Sequence, residues 1–333
     1  GPDSVKAVRP FLFNLFNDKY IIGAPALIRR MIAWLISTRR SKEMESVYQE
    51  LGDGSPLIPN TQAQADALQE KLGDDYKVLV NMRYWHPMAD EVTKEVKQLA
   101  PEEIILLPLY PQFSTTTTLS SYDEWQKYAR KNNVDDIKTK LLCCYPYESG
   151  FVEAVADLLQ EKINQAMQEN ETAPRIFFSA HGLPQKIVDG REDPYPEQIK
   201  MSAEAVVKKL SERNEKYQNL DWIITYQSRV GPVEWIRPYT DKEIEIAGKK
   251  KKPLVLIPIA FVSEHIETLE EMDMEFKEIA DESGVPNFYR VPTVSVKDAF
   301  IEGLKNLVKK TEESDRKVLS LVEKCICGNS KSC

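Results

Sequence analysis

Three histidines occur in the 333-residue chain, and each directly follows a short apolar run that is typical of a buried strand. They are His86 in RYWHP, His181 in IFFSAHGLP and His265 in FVSEHIETL. An imidazole with a pKa near 6.5 can accept a proton at physiological pH. A structural role at a strand end competes with catalysis for each of them. The Ser-Ala-His-Gly-Leu-Pro setting favours catalysis at His181 and a structural role is favoured at His86, whereas both remain open for His265.

A row of glutamates follows His265. Glu267, Glu271 and Glu275 recur every four residues, so they share one face of a predicted helix. Like charges at this spacing raise each other's pKa. A solvated acidic face is the plain interpretation. Because the row begins one turn from a strand end, we predict instead that Glu267 pairs with His181, and that Glu271 and Glu275 carry protons or a cation.

The cysteines form a second group of candidate ligands. Three of the five lie in the last nine residues, in CICGNSKSC. These are Cys325, Cys327 and Cys333, and Cys143 or Cys144 could supply a fourth thiolate. Four thiolates can hold zinc or an iron–sulfur cluster, and the spacing does not select between them. Free thiols in a flexible tail are the alternative.

Alternating strands and helices must position these groups. We predict strands at 76–85, 103–111, 137–146, 175–180, 221–226 and 253–260, and helices at 90–100, 120–132, 151–170, 196–213, 264–281 and 296–311. Short apolar runs that alternate with helices predict parallel sheets covered on both faces. We therefore expect two doubly wound α/β domains, 1–148 and 149–312, followed by a cysteine-rich tail, 313–333. Ligands of such sheets bind beyond the carboxyl ends of the strands, often between domains.

Further polar side chains follow the predicted strands and are candidates for ligand binding. They are Arg83, Tyr84, Tyr110, Gln112, Ser114, Gln227, Ser228 and Trp235. The stretch of about 10–40 mixes large apolar residues with arginines. It could be core, a lip over an apolar ligand or a membrane-surface contact. Arginine and tyrosine beside an apolar lip would suit a flat, greasy molecule with carboxylates at its edge.

Composition excludes several classes of protein. A net charge of −8 and a pI of about 5.3 argue against a general nucleic-acid binder. We find no Gly-rich phosphate loop, no apolar run that could span a bilayer and no signal peptide, so we expect a cytoplasmic protein. An odd number of cysteines agrees with a reducing compartment. The abrupt start at GPDS suggests that a further strand precedes Gly1.

Several motifs together resemble the ferrochelatase family, nearly end to end. They are RRSKEMESVYQELGDGSP, RYWHP, YPQFS, FSAHGLP, DPYPEQI, YQSRVGPVEWIRP and PIAFVSEHIETLEEMDMEF. The pair FSAHGLP and PIAFVSEHIETL, in this order, is highly specific. The resemblance implies two similar Rossmann-like, chelatase-type domains with a porphyrin cleft between them. It also implies insertion of ferrous iron into protoporphyrin IX, the last step of protoheme synthesis.

The resemblance also implies roles for individual residues. His181 matches the histidine of the family motif and would accept pyrrole protons, and Glu267 matches its acidic partner, which would assist with the proton or the metal. Residues that match positions lining or bordering the cleft are Arg40, Tyr48, Ser55, Tyr122 and Trp235. The helical segment from Phe11 to Ile36 looks like a lip that closes over the macrocycle and touches the inner face of the membrane.

One departure from the family concerns the cysteines. Many eukaryotic relatives hold a 2Fe–2S cluster by three C-terminal cysteines and one just after the YPQ(Y/F)S motif, where this chain has Thr115. We expect a cluster whose fourth ligand is Cys143 or Cys144. Coproporphyrin III as the substrate, a porphyrin or heme carrier without catalysis, and a two-lobed metal-binding protein are the alternatives. A second copy of the chain is a further candidate partner.

Overall fold

Two parallel β-sheets organise the protein. The computed structural model describes residues 1–50 and 52–322. The first sheet contains β1 (Glu103–Leu106), β2 (Lys138–Leu142) and β7 (Val318–Leu319), in the order β1-β2-β7. The second contains β3 (Arg175–His181), β4 (Asp221–Gln227), β5 (Leu254–Pro258) and β6 (Phe288–Arg290), in the order β4-β3-β5-β6. The predicted α/β class with parallel sheets is confirmed.

Helices cover both sheets. They are α1 (Val8–Phe16), α2 (Ala26–Glu50), α3 (Leu57–Leu72), α4 (Ala89–Leu99), α5 (Ser120–Asn132), α6 (Ser149–Glu169), α7 (Gln185–Arg191), α8 (Tyr195–Arg213), α9 (Thr240–Lys249), α10 (Phe276–Ser283) and α11 (Asp298–Glu313). Short 3₁₀ turns span Val5–Ala7 and Glu215–Tyr217, and π-helical segments span Thr115–Leu119 and Glu267–Glu275.

The second sheet is buried on both faces. Ile176, Phe177 and Phe178 of β3 are fully buried, which is why this strand has a continuous apolar run instead of an alternating pattern. Phe178 belongs to the largest apolar cluster, which continues through α6 and α11, whereas Phe177 belongs to a cluster that includes residues of α9 and α10. The strand is therefore fixed from both sides, and its last residue has little freedom to move.

The C-terminal part of the chain returns to the first sheet. Leu141 and Leu142 of β2 pair with Val318 and Leu319 of β7, and α11 packs against both α6 and α3. Residues 318–319, which we placed in the cysteine-rich tail, are thus part of the sheet formed by the N-terminal half. The division at residue 148 stays a prediction. Cys325, Cys327 and Cys333 lie outside the described residues.

Two predicted elements are wrong. Residues 76–81 have no regular secondary structure and no strand partner among the described residues. Leu79 packs against an apolar cluster that includes Ile104 of β1, whereas the backbone N–H of Val78 donates to the side chain of Gln69 (2.8 Å). An apolar extended run becomes a strand only where a neighbouring backbone completes the ladder.

The second correction concerns the N-terminal helical segment. It is broken between α1, which ends at Phe16, and α2, which begins at Ala26 directly after Pro25, a residue that is tolerated at the start of a helix but not in its interior. The strand predicted at 103–111 also ends early, at Leu106, two residues before Pro108, which lacks the N–H that a ladder needs. Strands β6 and β7 were not predicted, since each has only two or three residues.

Candidate active site

A large cavity lies beyond the carboxyl ends of the strands. Its volume is about 2750 Å³, because a groove beside β1 is continuous with the main cleft. The predicted site residues that line it are Arg40, Tyr48, Ser55, Arg83, Tyr84, Ser114, Tyr122, His181, Trp235, Glu267, Glu271 and Glu275. The cavity therefore brings these residues together, whereas two further candidates from the sequence, His86 and Gln227, do not line it.

His181 is the last residue of β3 and faces this cavity. It pairs in register with Gln227 at the end of β4, and the next residue, Gly182, donates its N–H to the Gln227 carbonyl (2.9 Å). A Cβ at Gly182 would lie 2.8 Å from that carbonyl oxygen and 3.2 Å from the Trp235 ring. Only glycine permits so close an approach. The strand end, and with it His181, is held at the cavity wall.

Glu267 lies against His181. His181 Nδ1 and Glu267 Oε2 are 3.2 Å apart, and 36% and 34% of the two side chains are exposed, through the cleft. His265 Nε2 approaches the same carboxylate oxygen at 3.4 Å, while its Nδ1 faces the Ser263 carbonyl (3.0 Å). A nitrogen that faces a carbonyl carries a proton, so the His265 ring can donate to Glu267 only when it is cationic.

The pKa of His181 is raised and that of Glu267 is lowered. Burial alone would lower the pKa of His181, but the charge and hydrogen bond of Glu267 and the charge of Glu271 outweigh it and raise the pKa above 6.5. Burial alone would raise the pKa of Glu267, but His181 and His265 hold it well below its ordinary value. These opposite shifts favour an imidazolium beside a carboxylate over a neutral pair.

Glu271 is held by the end of β4. It accepts hydrogen bonds from Gln227 Nε2 (2.9 Å), the Ser228 N–H (2.7 Å) and the Ser228 hydroxyl. Burial raises its pKa, the Ser228 hydrogen bonds oppose this, and the charge of Glu267 adds to the rise. The predicted row of Glu267, Glu271 and Glu275 lies on a π-helical segment, a rare winding that is frequent at functional sites.

Sequence reasoning missed Glu270. Burial, together with the charges of Glu275, Glu271 and Glu43, raises its pKa to about 8. Its side chain lines the cavity beside Glu275 and Glu43. The available signal was its position directly before Glu271, which places a further carboxylate next to the predicted row.

Arg83, Tyr84 and Ser114 reach the cavity wall but also contact protein groups. Arg83 binds Asp18 (3.0 Å) and Glu124 (2.6 Å), and the Tyr84 hydroxyl donates to Asp18 (2.7 Å). Ser114 donates to Asp193 (3.0 Å). In contrast, within 1–50 and 52–322 the Trp235 indole N–H has no hydrogen-bond partner and Arg40 has no ion pair. Arg40 is therefore the better candidate for a ligand's carboxylate.

Cys143 and Cys144 lie next to the point where the described chain ends. Both are buried. The Cys143 N–H donates to the Leu319 carbonyl (2.7 Å), the Leu321 N–H donates to the Cys144 carbonyl (3.3 Å), and Cys144 Sγ lies 3.2 Å from Ser320 Oγ. Within the part of the chain that the structure describes, no three His, Cys, Asp or Glu side chains form a metal site.

One face of α2 exposes large apolar side chains. They are Leu27, Ile28, Met31, Trp34 and Leu35, and Leu27 is 82% exposed. Their spacing places them along one side of the helix. Among the described helices, none has the length and apolar content to cross a membrane.

Comparison with known proteins gives matches along nearly the whole chain. Residues 1–312 match the family model described as Ferrochelatase. The ferrochelatase of Rickettsia bellii is 47% identical over 339 residues, which cover all of this chain and 91% of the relative. Those of Pelagibacter ubique and Caulobacter vibrioides are 44% and 46% identical, and cover 94% and 93% of this chain and 89% and 87% of the relatives.

A solved structure shares the fold. SirB from Bacillus subtilis with Fe³⁺ superposes with a TM-score of 0.52 at 13% identity, over 76% of this chain and 90% of that chain. At this identity the likeness concerns the chelatase-type α/β architecture alone.

Proposed function

The chain belongs to the ferrochelatase family, and from this premise we propose that it inserts ferrous iron into protoporphyrin IX to form protoheme. One observation carries the proposal. An imidazole and a carboxylate lie 3.2 Å apart at the wall of a largely apolar cavity. Such a cavity accepts a flat apolar macrocycle, and the pair can handle the protons that the macrocycle must lose.

His181 accepts a pyrrole proton in this proposal. A free-base porphyrin loses two N–H protons as Fe²⁺ enters, so two protons must leave for each heme formed. Only neutral His181 can accept one, and Glu267 then stabilises the imidazolium or helps to hold the incoming iron. A raised pKa makes His181 a stronger base, and a ring that is already protonated must first release that proton before it can accept one from the pyrrole.

The acidic row supplies a route for charge. Glu271 and Glu275, joined by Glu270, line the cavity beyond Glu267. We propose that they carry protons outward or iron inward. The raised pKa values of Glu270 and Glu271 suit proton transfer near neutral pH.

An anaerobic Fe²⁺ insertion assay tests this function directly. We expect turnover with protoporphyrin IX that exceeds turnover with coproporphyrin III, because the exposed apolar face of α2 suits the substrate with fewer carboxylates. A preference for coproporphyrin III would overturn the choice of substrate but keep metal insertion. Insertion into neither porphyrin would favour a carrier.

We also propose a 2Fe–2S cluster held by Cys325, Cys327, Cys333 and one cysteine beside β2. The described chain runs alongside Cys143 and Cys144 up to Val322. The three residues from Val322 to Cys325 can span about 10 Å. Four thiolates would hold the cluster and tie the tail to the first sheet.

Iron and acid-labile sulfide content tests the cluster. We expect about two of each per chain in purified protein. Cys143→Ser and Cys144→Ser, made separately, identify the fourth ligand, because only the variant of the ligand loses iron and sulfide. Stoichiometric zinc in place of iron and sulfide would contradict the proposal.

The apolar face of α2 is proposed to contact the inner face of the cell membrane, which agrees with a cytoplasmic enzyme of an apolar substrate. Leu27, Met31 and Trp34 are exposed beside Arg30, which can attract anionic lipid headgroups. Cosedimentation with anionic vesicles should fall in Leu27→Ser/Trp34→Ser. The same binding by wild type and variant would exclude this face. Sedimentation equilibrium tests whether two copies of the chain associate as a homodimer.

A further inference from the structure

Arg290 contacts both ends of the segment 264–273, which carries Glu267 and Glu271. It is the last residue of β6, paired with Leu256 of β5. Its guanidinium binds Asp273 through two parallel hydrogen bonds (2.7 and 2.6 Å) and Glu264 through a third (2.6 Å). The side chain is 15% exposed. Three charge-assisted hydrogen bonds from one planar group fix both carboxylates relative to the sheet.

These two carboxylates flank the groups that face the cavity. Glu264 directly precedes His265, and Asp273 lies near the end of the π-helical segment Glu267–Glu275. Between them the chain carries Glu267 and Glu271. Arg290 itself does not line the cavity. It therefore acts on the site only through the segment 264–273.

Glu264 depends on Arg290. One of its carboxylate oxygens accepts from Arg290 and from the Thr293 N–H (2.8 Å), and the other has no hydrogen-bond partner among the described residues. A largely buried carboxylate that loses its counter-charge must move toward water or take up a proton. Either response shifts the backbone next to His265.

The contact between Arg290 and Asp273 helps to maintain the π-helical winding of the segment. A π-helix is less favourable than an α-helix, so contacts outside the segment must maintain it. Ser228 and Gln227 hold Glu271 on the cavity side, and Arg290 holds Asp273 from β6. Relaxation to α-helical winding would turn Glu271 relative to Glu267.

We infer that Arg290 is a positioning residue, which holds Glu264 and Asp273 so that Glu267 and Glu271 stay aligned beside His181. This inference rests on the proposed metal insertion for its kinetic consequence, but its structural consequence is independent of it. The substrate does not contact Arg290.

Three variants test the inference. Arg290→Met removes the charge at similar length, and Arg290→Lys keeps the charge but cannot form the two-pronged contact with Asp273 while it also binds Glu264. The control is Arg213→Met. Arg213 is 20% exposed and likewise bridges two carboxylates, Glu153 and Asp157, but does not line the cavity.

We expect kcat to fall by about tenfold to a hundredfold in Arg290→Met and by less in Arg290→Lys, as for other small displacements of catalytic groups. The Kd for protoporphyrin should stay within about twofold. Arg213→Met should insert iron at the wild-type rate. A wild-type kcat in Arg290→Met would overturn the inference, and Arg290→Lys serves in its place if the methionine variant does not fold.

Histidine NMR separates this inference from the proposed function. The chain has only three histidines. The ring signals of His181 and His265 should shift in Arg290→Met while those of His86 do not. Unchanged signals from all three would refute the positioning role. Shifted signals in a protein that inserts no iron would keep the positioning role and refute the function.

Discussion

His86 and His181 each follow a stretch predicted to be a strand, and each contacts one glutamate. His86 Nδ1 lies 2.7 Å from Glu91 Oε2, closer than the 3.2 Å between His181 and Glu267. Half of each side chain of the His86 pair is exposed to water, outside the cavity. By distance alone the His86 pair would be the stronger candidate.

The surroundings reverse that ranking. Glu91 also accepts from the Met88 N–H (2.7 Å), and this hydrogen bond is the main cause of its lowered pKa. Its role is to satisfy a free N–H at the start of α4. Glu267 instead lies in the cavity between two histidines and beside Glu271. A histidine–glutamate contact becomes chemically useful where a cavity withholds water and a substrate can reach it.

The largest expected effect is the difference between replacing His181 and replacing His86. His181→Ala should lower iron insertion by about a thousandfold, within the range that a general base supplies, and should leave protoporphyrin binding detectable by fluorescence quenching. His86→Ala should insert iron at the wild-type rate. Insertion by His181→Ala at near the wild-type rate would eliminate the general-base role.

Changing the glutamates tests the electrostatic half of the comparison. Glu267→Gln should lower kcat by about a hundredfold. It should also move the acidic limb of the kcat/KM profile to lower pH. Neutral His181 is the active form, so activity rises with pH through its pKa. That pKa lies above 6.5 because of Glu267, and without this charge burial lowers it.

Glu91→Gln is the matched control for Glu267→Gln. Glutamine can still accept from the Met88 N–H, so α4 keeps its cap and iron insertion should not change. An acidic limb at the same pH in wild type and Glu267→Gln would show that another group controls the profile.

The smallest expected effect concerns Glu270. Burial raises the pKa of this carboxyl group, and no histidine in the described chain lowers it as His181 lowers that of Glu267. Its pKa of about 8 means that the folded state holds a proton that the unfolded state has lost above pH 4.5. Stability should therefore fall as pH rises from 4.5 to 8. Glu270→Gln, which mimics the protonated form, should gain about 1 kcal/mol over wild type between pH 5.5 and 8.5, a value reduced for partial exposure. Calorimetric unfolding of both proteins at pH 5.5 and 8.5 measures this difference. The same difference in free energy of unfolding at the two pH values would contradict the prediction.

The strand ends of the second sheet could be predicted from the sequence because each is a local signal. The apolar run before His181 and the Gly-Leu-Pro turn lie within nine residues. The four-residue spacing of Glu267, Glu271 and Glu275 likewise indicates a common face, though not π-helical winding. The family resemblance supplied the substrate, which the residues alone could not name.

Long-range partners could not be predicted. Arg83 was interpreted as a ligand-binding residue, and its partner Asp18 is distant in sequence and became visible only in the fold. Arg290 had no sequence signal, because its significance depends on Asp273 and Glu264 lying on either side of it. The strand predicted at 76–85 failed for a related reason, since its pattern indicates extended backbone but not a partner strand.

The return of β7 to β2 has a consequence for synthesis of the protein on the ribosome. The first sheet acquires its β7 strand only after the whole second sheet and α11 have been made. At about 5–20 residues per second, that delay is on the order of ten seconds or more. During this time the β7-pairing edge of β2 is open to wrong partners. The N-terminal half of the newly made chain must therefore keep this edge from pairing with other strands until β7 arrives.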